Sequence, residues 1–184
     1  MKVYNEIITK SLIDFEEIKL IFANNNIELV KSEQIKERFF LKKDISFKTA
    51  SYKKILDNSY ILLEKNERPY LNYKSHNGLE KCSSTIEIID ENECIDFLNH
   101  IGFKEVFNIE KNVYLFSDGI NECSVINLIN TGIYLSTKKE NATKEELKNI
   151  LDAFKLPYKE DECDESIEKI VISKMRRYLR WVRK

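Results

Sequence analysis

The sequence predicts an α+β protein, with a largely antiparallel β-sheet closing into a barrel and helices packed outside it. Three observations carry this. Many strand-like segments are interrupted by only a few helical ones, and each helix is spliced between strands. A unit repeats in kind: a strand, the helix IDFEEIKLIF, then IELV and a charged strand match IEIID, ECIDFLNHI, then FKEVF and a charged strand, and a third copy begins at Ile133 to Lys138. A chain this rich in strands also leaves unpaired sheet edges, and closure removes them.

In order, Val3 to Ser11 reads as a strand. Asp14 caps the next helix, with Glu17 three residues on as a capping-box partner and Phe15, Ile18, Ile21 and Phe22 on one apolar face. Asn24-Asn25-Asn26 ends it, because asparagine tolerates left-handed backbone. Ile27 to Val30 and Ile35 to Leu41 read as extended, Tyr52 to Leu56 as a short helix, and Ser59 to Lys65 as a strand. Asn66-Glu67 turns the chain into the strand Arg68 to Lys74, and a turn at His76-Asn77-Gly78 leads to Thr85 to Ile89, which alternates like a half-buried strand. Asp90, with Glu93 three residues on, caps a helix whose Cys94, Phe97, Leu98 and Ile101 share a face, and Gly102 suits a left-handed C-terminal cap. Phe103 to Phe116 is extended. Thr143 and Glu146 box the last such helix, Thr143 to Lys155, which buries Leu147, Ile150, Leu151 and Phe154 and is stopped by Pro157.

Composition excludes several classes. The 184 residues suffice for one domain with an appendage, and only four glycines and two prolines argue against a long flexible linker. A formal net charge of −1 is no global polycation for nucleic acid. No apolar run approaches the roughly 20 residues of a transmembrane segment, and Met1 to Glu6 has no signal-peptide core. Cys82, Cys94, Cys123 and Cys163 form no CxxC pair, and with only two histidines a zinc site is disfavoured; four reduced thiols in a cytoplasmic protein are expected. His76 in a turn and His100 on a polar helix side read as surface residues, no glycine-rich phosphate loop exists, and no Ser, His and Asp spacing suggests a triad.

Between Tyr60 and Phe116 the strand Tyr70-Leu71-Asn72-Tyr73-Lys74, the segment Ile86-Glu87-Ile88, the capped helix ending Ile101-Gly102-Phe103, and Val106-Phe107-Asn108-Ile109-Glu110-Lys111 follow one another. In this order and spacing the chain, from about Tyr4 to about Pro157, resembles the CYTH family of class IV adenylyl cyclases and thiamine triphosphatases, related to tunnel-shaped metal-dependent triphosphatases. The resemblance implies a closed tunnel over residues 1–158. It also implies lysines and arginines that clamp phosphates, and carboxylates that hold Mg²⁺ or Mn²⁺.

Residue by residue the implied chemistry is incomplete. Glu6 and Lys10 match the ExExK strand, with Ile8 in place of its middle acid. Ile61 and Leu63 stand where paired arginines are expected. Lys74 matches the lysine after YLxY; Glu87 matches one acid while Thr85 replaces another; Lys111 matches a basic position whose partner is Val113. The metal-binding aspartate falls near Asn127, and the closing ExE at Ser136 and Lys138. The surviving set is thus Lys10, Lys74 and Lys111 for phosphate, with Glu6 and Glu87 left for a weakly held metal, and no residue assignable to catalysis. Charges beside an apolar wall of Ile8, Ile61, Leu63 and Val113 are expected to pair with one another. The leading expectation is a pseudoenzyme that binds a small phosphate-containing or other anionic ligand, with no cofactor assigned. The alternatives are an active triphosphate enzyme using Mg²⁺ or Mn²⁺, and a structural partner protein.

Residues 159–184 depart from this plan. Glu160 to Glu165 is an acidic linker, and Ser166 to Lys184 holds seven Lys and Arg against Glu168. Ile167, Ile170, Val171, Lys174, Tyr178 and Trp181 suggest an amphipathic helix, either packed on the domain or docking an acidic partner, RNA or an anionic membrane.

Overall fold

The computed structural model describes residues 4–77, 80–160 and 166–181, except the side chains of 4, 74–77, 80–83, 180 and 181. Among the described residues eight strands form one mostly antiparallel sheet and five helices accompany it: β1 (Tyr4–Lys10), α1 (Phe15–Asn24), β2 (Glu28–Lys42), α2 (Tyr52–Leu56), β3 (Ser59–Lys65), β4 (Arg68–Asn77), β5 (Glu80–Glu87), α3 (Glu91–His100), β6 (Phe103–Ser117), β7 (Glu122–Leu128), β8 (Gly132–Glu140), α4 (Lys144–Ala153) and α5 (Ile167–Trp181). The strand order is β1-β8-β7-β6-β2-β3-β4-β5, so β1 and β5 end the hydrogen-bonded order among the described residues. The α+β class therefore holds, while closure into a barrel is not part of this hydrogen-bonding pattern. No helix among the described residues is long and apolar enough to cross a membrane.

The chain divides into two compact units, Met1–Gln34 with Lys111–Lys184, and Ile35–Glu110. In the first, Ile7, Phe116, Cys123, Val125 and Leu135 of the strands meet Ile18 and Phe22 of α1 and Leu147, Leu151 and Phe154 of α4 in one buried cluster. Phe22 is its centre, with ring centroids 4.5 Å from Phe116 and 5.7 Å from Phe154. Two of the three expected capping boxes form: Asp14 accepts from Glu17 N, Thr143 accepts from Glu146 N, and each glutamate reaches back to the cap, whereas Asp90 caps α3 by accepting from Asn92 N and Glu93 N without a full box. Asn26 takes the left-handed φ of 55° after α1. In the second unit Phe40, Leu62 and Leu98 are buried together under α3, with Cys94 and Ile95 against them. Arg38 pins this helix, donating to Glu91 of α3 at 2.7 Å and to Glu105 of β6 at 2.6 Å. Those bonds, led by Glu105, hold its guanidinium pKa above the ordinary arginine value.

Several expectations are corrected. Residues 28–42 form one strand rather than two, since no Gly or Pro interrupts them. Residues 122–128 form β7, a strand that the sequence pattern does not single out. Strand β5 stops at Glu87, and its Ile86 is 63% exposed, so it is no half-buried strand. Helix α3 is turned by about one position from the expected face: Leu98 is buried with Cys94 and Ile95 against it, whereas Phe97 and Ile101 are exposed. In α5, Ile167, Val171 and Ile172 are buried and Tyr178 is exposed.

Candidate functional site

Strand β1 alternates, and Ile7 belongs to the helix-covered core. Glu6, Ile8 and Lys10 therefore occupy the opposite face of the first unit's sheet, called here the inner face. The antiparallel register sets Glu6 opposite Lys138 and Ile8 opposite Ser136 on β8, and Lys10 opposite Tyr134. Across β7 and β6 the same face continues with Ser124, Ile126 and Leu128, then Leu115, Val113 and Lys111. Asn127 shares the parity of core residue Val125 and lies on the helix-covered face, so a metal ligand does not belong at that position.

The four positions at which the resemblance expects acids from β1 and β8 thus form a square of Glu6, Ile8, Ser136 and Lys138. The square holds one carboxylate. Ser136, 2% exposed, donates its hydroxyl to Glu6 Oε1 at 2.6 Å. An acid that takes so short a bond from a buried hydroxyl is already partly satisfied inside the protein. Ile8 is 2% exposed, Ile126 6% and Tyr134 4%, so the wall around the pair is buried as well as apolar.

Lys10 has a distinct environment. Its Cε would lie 3.8 Å from a Cβ built on Gly132, whose φ is +129°. Glycine at 132 takes a backbone angle that side chains avoid, and the lysine stem passes it at ordinary contact distance. Gly132 is opposite Leu128, and Leu128 is opposite Lys111. Lys10 therefore leans onto the row that ends at Lys111, two strand spacings or about 10 Å away.

In the second unit the register sets Glu37, Leu63, Tyr70 and Glu87 in one row and Phe39, Ile61, Asn72 and Thr85 in the next. Ile61 and Leu63 lie on the face opposite α3, since Leu62 between them packs under that helix. Phe39 stacks on Phe107 there at 4.2 Å. Glu87 is exposed on the terminal strand β5. Lys74 is opposite Ser83 in β4–β5, and its side chain, like that of His76, lies outside the described residues. His100 is exposed, as expected. One site residue escaped the sequence reading: Glu37 is 7% exposed. Its signal was a charge at the apolar parity of Ile35, Phe39 and Leu41. Asn72 Oδ1 on this face is buried with no hydrogen-bond partner among the described residues. No group of three or more His, Cys, Asp or Glu side chains among the described residues is placed to hold a metal.

Solved structures share this architecture. PH1819 from Pyrococcus horikoshii OT3 is similar at TM-score 0.66 and 15% identity, over 93% of this chain and 99% of its own. A candidate adenylate cyclase from Vibrio parahaemolyticus is similar at TM-score 0.66 and 13% identity, over 94% and 98%. The candidate adenylyl cyclase HpAC1 from Hippeastrum, described with a dominant triphosphatase activity, is similar at TM-score 0.59 and 11% identity, over 95% and 96%. The chain has a CYTH-like fold. No family model and no curated relative matches the sequence. At these identities the likeness extends to the CYTH-like fold, and the chemistry rests on the residues themselves.

Proposed function

We propose that this CYTH-like protein binds a small phosphate-bearing anion and has lost metal-dependent triphosphate chemistry. The observation that carries this is the inner-face square of Glu6, Ile8, Ser136 and Lys138, with its one carboxylate bonded to Ser136. The reading takes the sheet to curl into the tunnel that the fold implies over residues 1–158, with residues 159–184 as an appended linker and helix. Lys10 and Lys111, both in the first unit, bind phosphate oxygens as point charges. About 10 Å between the Gly132 position that Lys10 covers and Lys111 suits one or two phosphates bridged by two flexible amines. A triphosphate is held poorly, since Ile61 and Leu63 supply no bidentate clamp.

Mg²⁺ and Mn²⁺ fit this donor set badly. Such ions take near-octahedral oxygen shells anchored by carboxylates. Glu6 is engaged by Ser136, and Glu87 is an exposed residue of β5. No step of the proposed function runs through a metal.

Calorimetry with orthophosphate, pyrophosphate, tripolyphosphate and ATP tests the reading. Pyrophosphate binding without metal is expected, weakened about tenfold or more by Lys10→Ala. Failure of every phosphate compound to bind the intact protein would overturn it. Similarity to HpAC1 favours a second reading, an active triphosphatase; turnover of about one per second that EDTA abolishes would establish it instead.

A further inference from the structure

We propose that the second unit carries a docking surface for single-stranded nucleic acid, formed by Lys48, Lys53 and Lys54 with Tyr73 beside them. Residues 42–57 hold five lysines (42, 43, 48, 53 and 54) and two acids, Asp44 and Asp57, a local charge of 5 − 2 = +3 in a chain whose net charge is −1. All five lysines are exposed. Two are occupied: Lys42 is 4.0 Å from Asp44, and Lys43 Nζ donates to Asn99 O at 3.0 Å. Among the described residues no carboxylate lies within ion-pair distance of Lys48, Lys53 or Lys54. Three uncompensated cations on one short segment repel one another, and a polyanion relieves that repulsion.

The segment presenting them is anchored. Ile45, Ile55 and Leu56 are buried, the Phe47 ring lies 5.4 Å from Phe107, and Ser51 caps α2 through Lys54 N. The lysines therefore need little ordering to meet a ligand, which lowers the entropic cost of binding. Tyr73 adds a second kind of contact. Its hydroxyl donates to Asp57 O, just beyond Lys53 and Lys54, at 3.4 Å, and the residue is 40% exposed, with its ring 5.3 Å from that of Tyr60. Cations beside an exposed ring match a phosphate backbone and an unstacked base. A bilayer fits less well, because none of the exposed large apolar side chains falls within 42–57 to insert into it. On α5, the most basic stretch of the sequence, Lys174 already donates to Thr131 O at 3.0 Å.

Fluorescence anisotropy with a fluorescein-labelled 20-nucleotide oligouridylate, between 50 and 200 mM salt, tests the assignment. The intact protein binds with an affinity that falls log-linearly with salt. Single strands contribute a slope of about 0.7 per phosphate contact, so the triple variant Lys48→Ala, Lys53→Ala, Lys54→Ala flattens the slope by about 2 and weakens binding about tenfold or more. The triple arginine variant retains both affinity and slope. Tyr73→Ala weakens binding about fivefold or more with the slope unchanged. Absence of binding at 50 mM salt, or a triple alanine variant with the native slope, would overturn the proposal. So would lysine-dependent binding to phosphatidylserine vesicles by a protein that ignores the oligonucleotide.

Discussion

Ser136 stands where the resemblance expects a metal-binding acid, and its hydroxyl instead donates to Glu6 at 2.6 Å across 130 residues of sequence. A serine there gives a hydrogen bond where a second carboxylate would repel Glu6. Ser136→Ala should cost about 1 kcal/mol, read as a lower melting temperature, because Glu6 loses its partner beside an apolar wall. Phe22→Ala should cost about 3–5 kcal/mol in denaturant unfolding, since the ring is 1% exposed and no neighbour can fill its volume. Burial pushes the Cys123 thiol pKa up to about 12. Iodoacetamide at pH 8 should therefore leave Cys123 unlabelled in the folded protein and label it in urea; labelling without denaturant would show that the first unit's core opens.

Helices α1, α3 and α4 follow from local rules, and their stability is tested locally. Thr143→Ala removes the hydroxyl that accepts from Glu146 N and should cost about 1 kcal/mol. The reciprocal arm is pH-sensitive. Backbone and hydroxyl bonds from Thr143 hold the Glu146 carboxyl below its ordinary range. A depressed folded pKa stabilises above the unfolded pKa and is lost as pH falls through the folded one. The melting-temperature gap between the native protein and Glu146→Gln should then be open at neutral pH and close under acid; a gap constant with pH would refute the linkage. For α3, Arg38 with its two carboxylates fixes which face meets the sheet, and that accounts for the exposed Phe97 that periodicity expects inside.

For the whole molecule, the appended helix is the informative part. Ile167, Val171 and Ile172 are buried, each large apolar side chain contributing about 1.5–3 kcal/mol, whereas Tyr178 is 68% exposed. Deleting residues 180–184 should leave the melting temperature nearly unchanged, and deleting from Ser166 onward should lower it sharply or make the protein insoluble. An unchanged melting curve after the larger deletion would separate the helix from the core. Ile8→Glu tests the inner face at this scale. It places a second acid, at a buried position, beside the half-buried Glu6 and should destabilise the protein at neutral pH, because adjacent carboxylates repel and the new one loses its hydration. Added Mg²⁺ that restores the melting temperature would show that the square still suits a cation.

The sequence by itself determined the α+β class, the positions of α1, α3 and α4 and two capping boxes. It also determined the left-handed turns at Asn26 and Gly102 and the identity of every charge left on β1, because each rests on residues within about one helical turn or on alternation along one strand. Only the tertiary structure decided that Asn127 lies on the helix-covered face, that Glu37 is a buried acid, that α3 hides Ile95 rather than Phe97, and that Lys10 crosses Gly132 towards the row of Lys111. Those outcomes depend on register between strands far apart in the chain. A shift of one residue in register exchanges the two faces of a strand, and no local pattern records which partner a strand will choose.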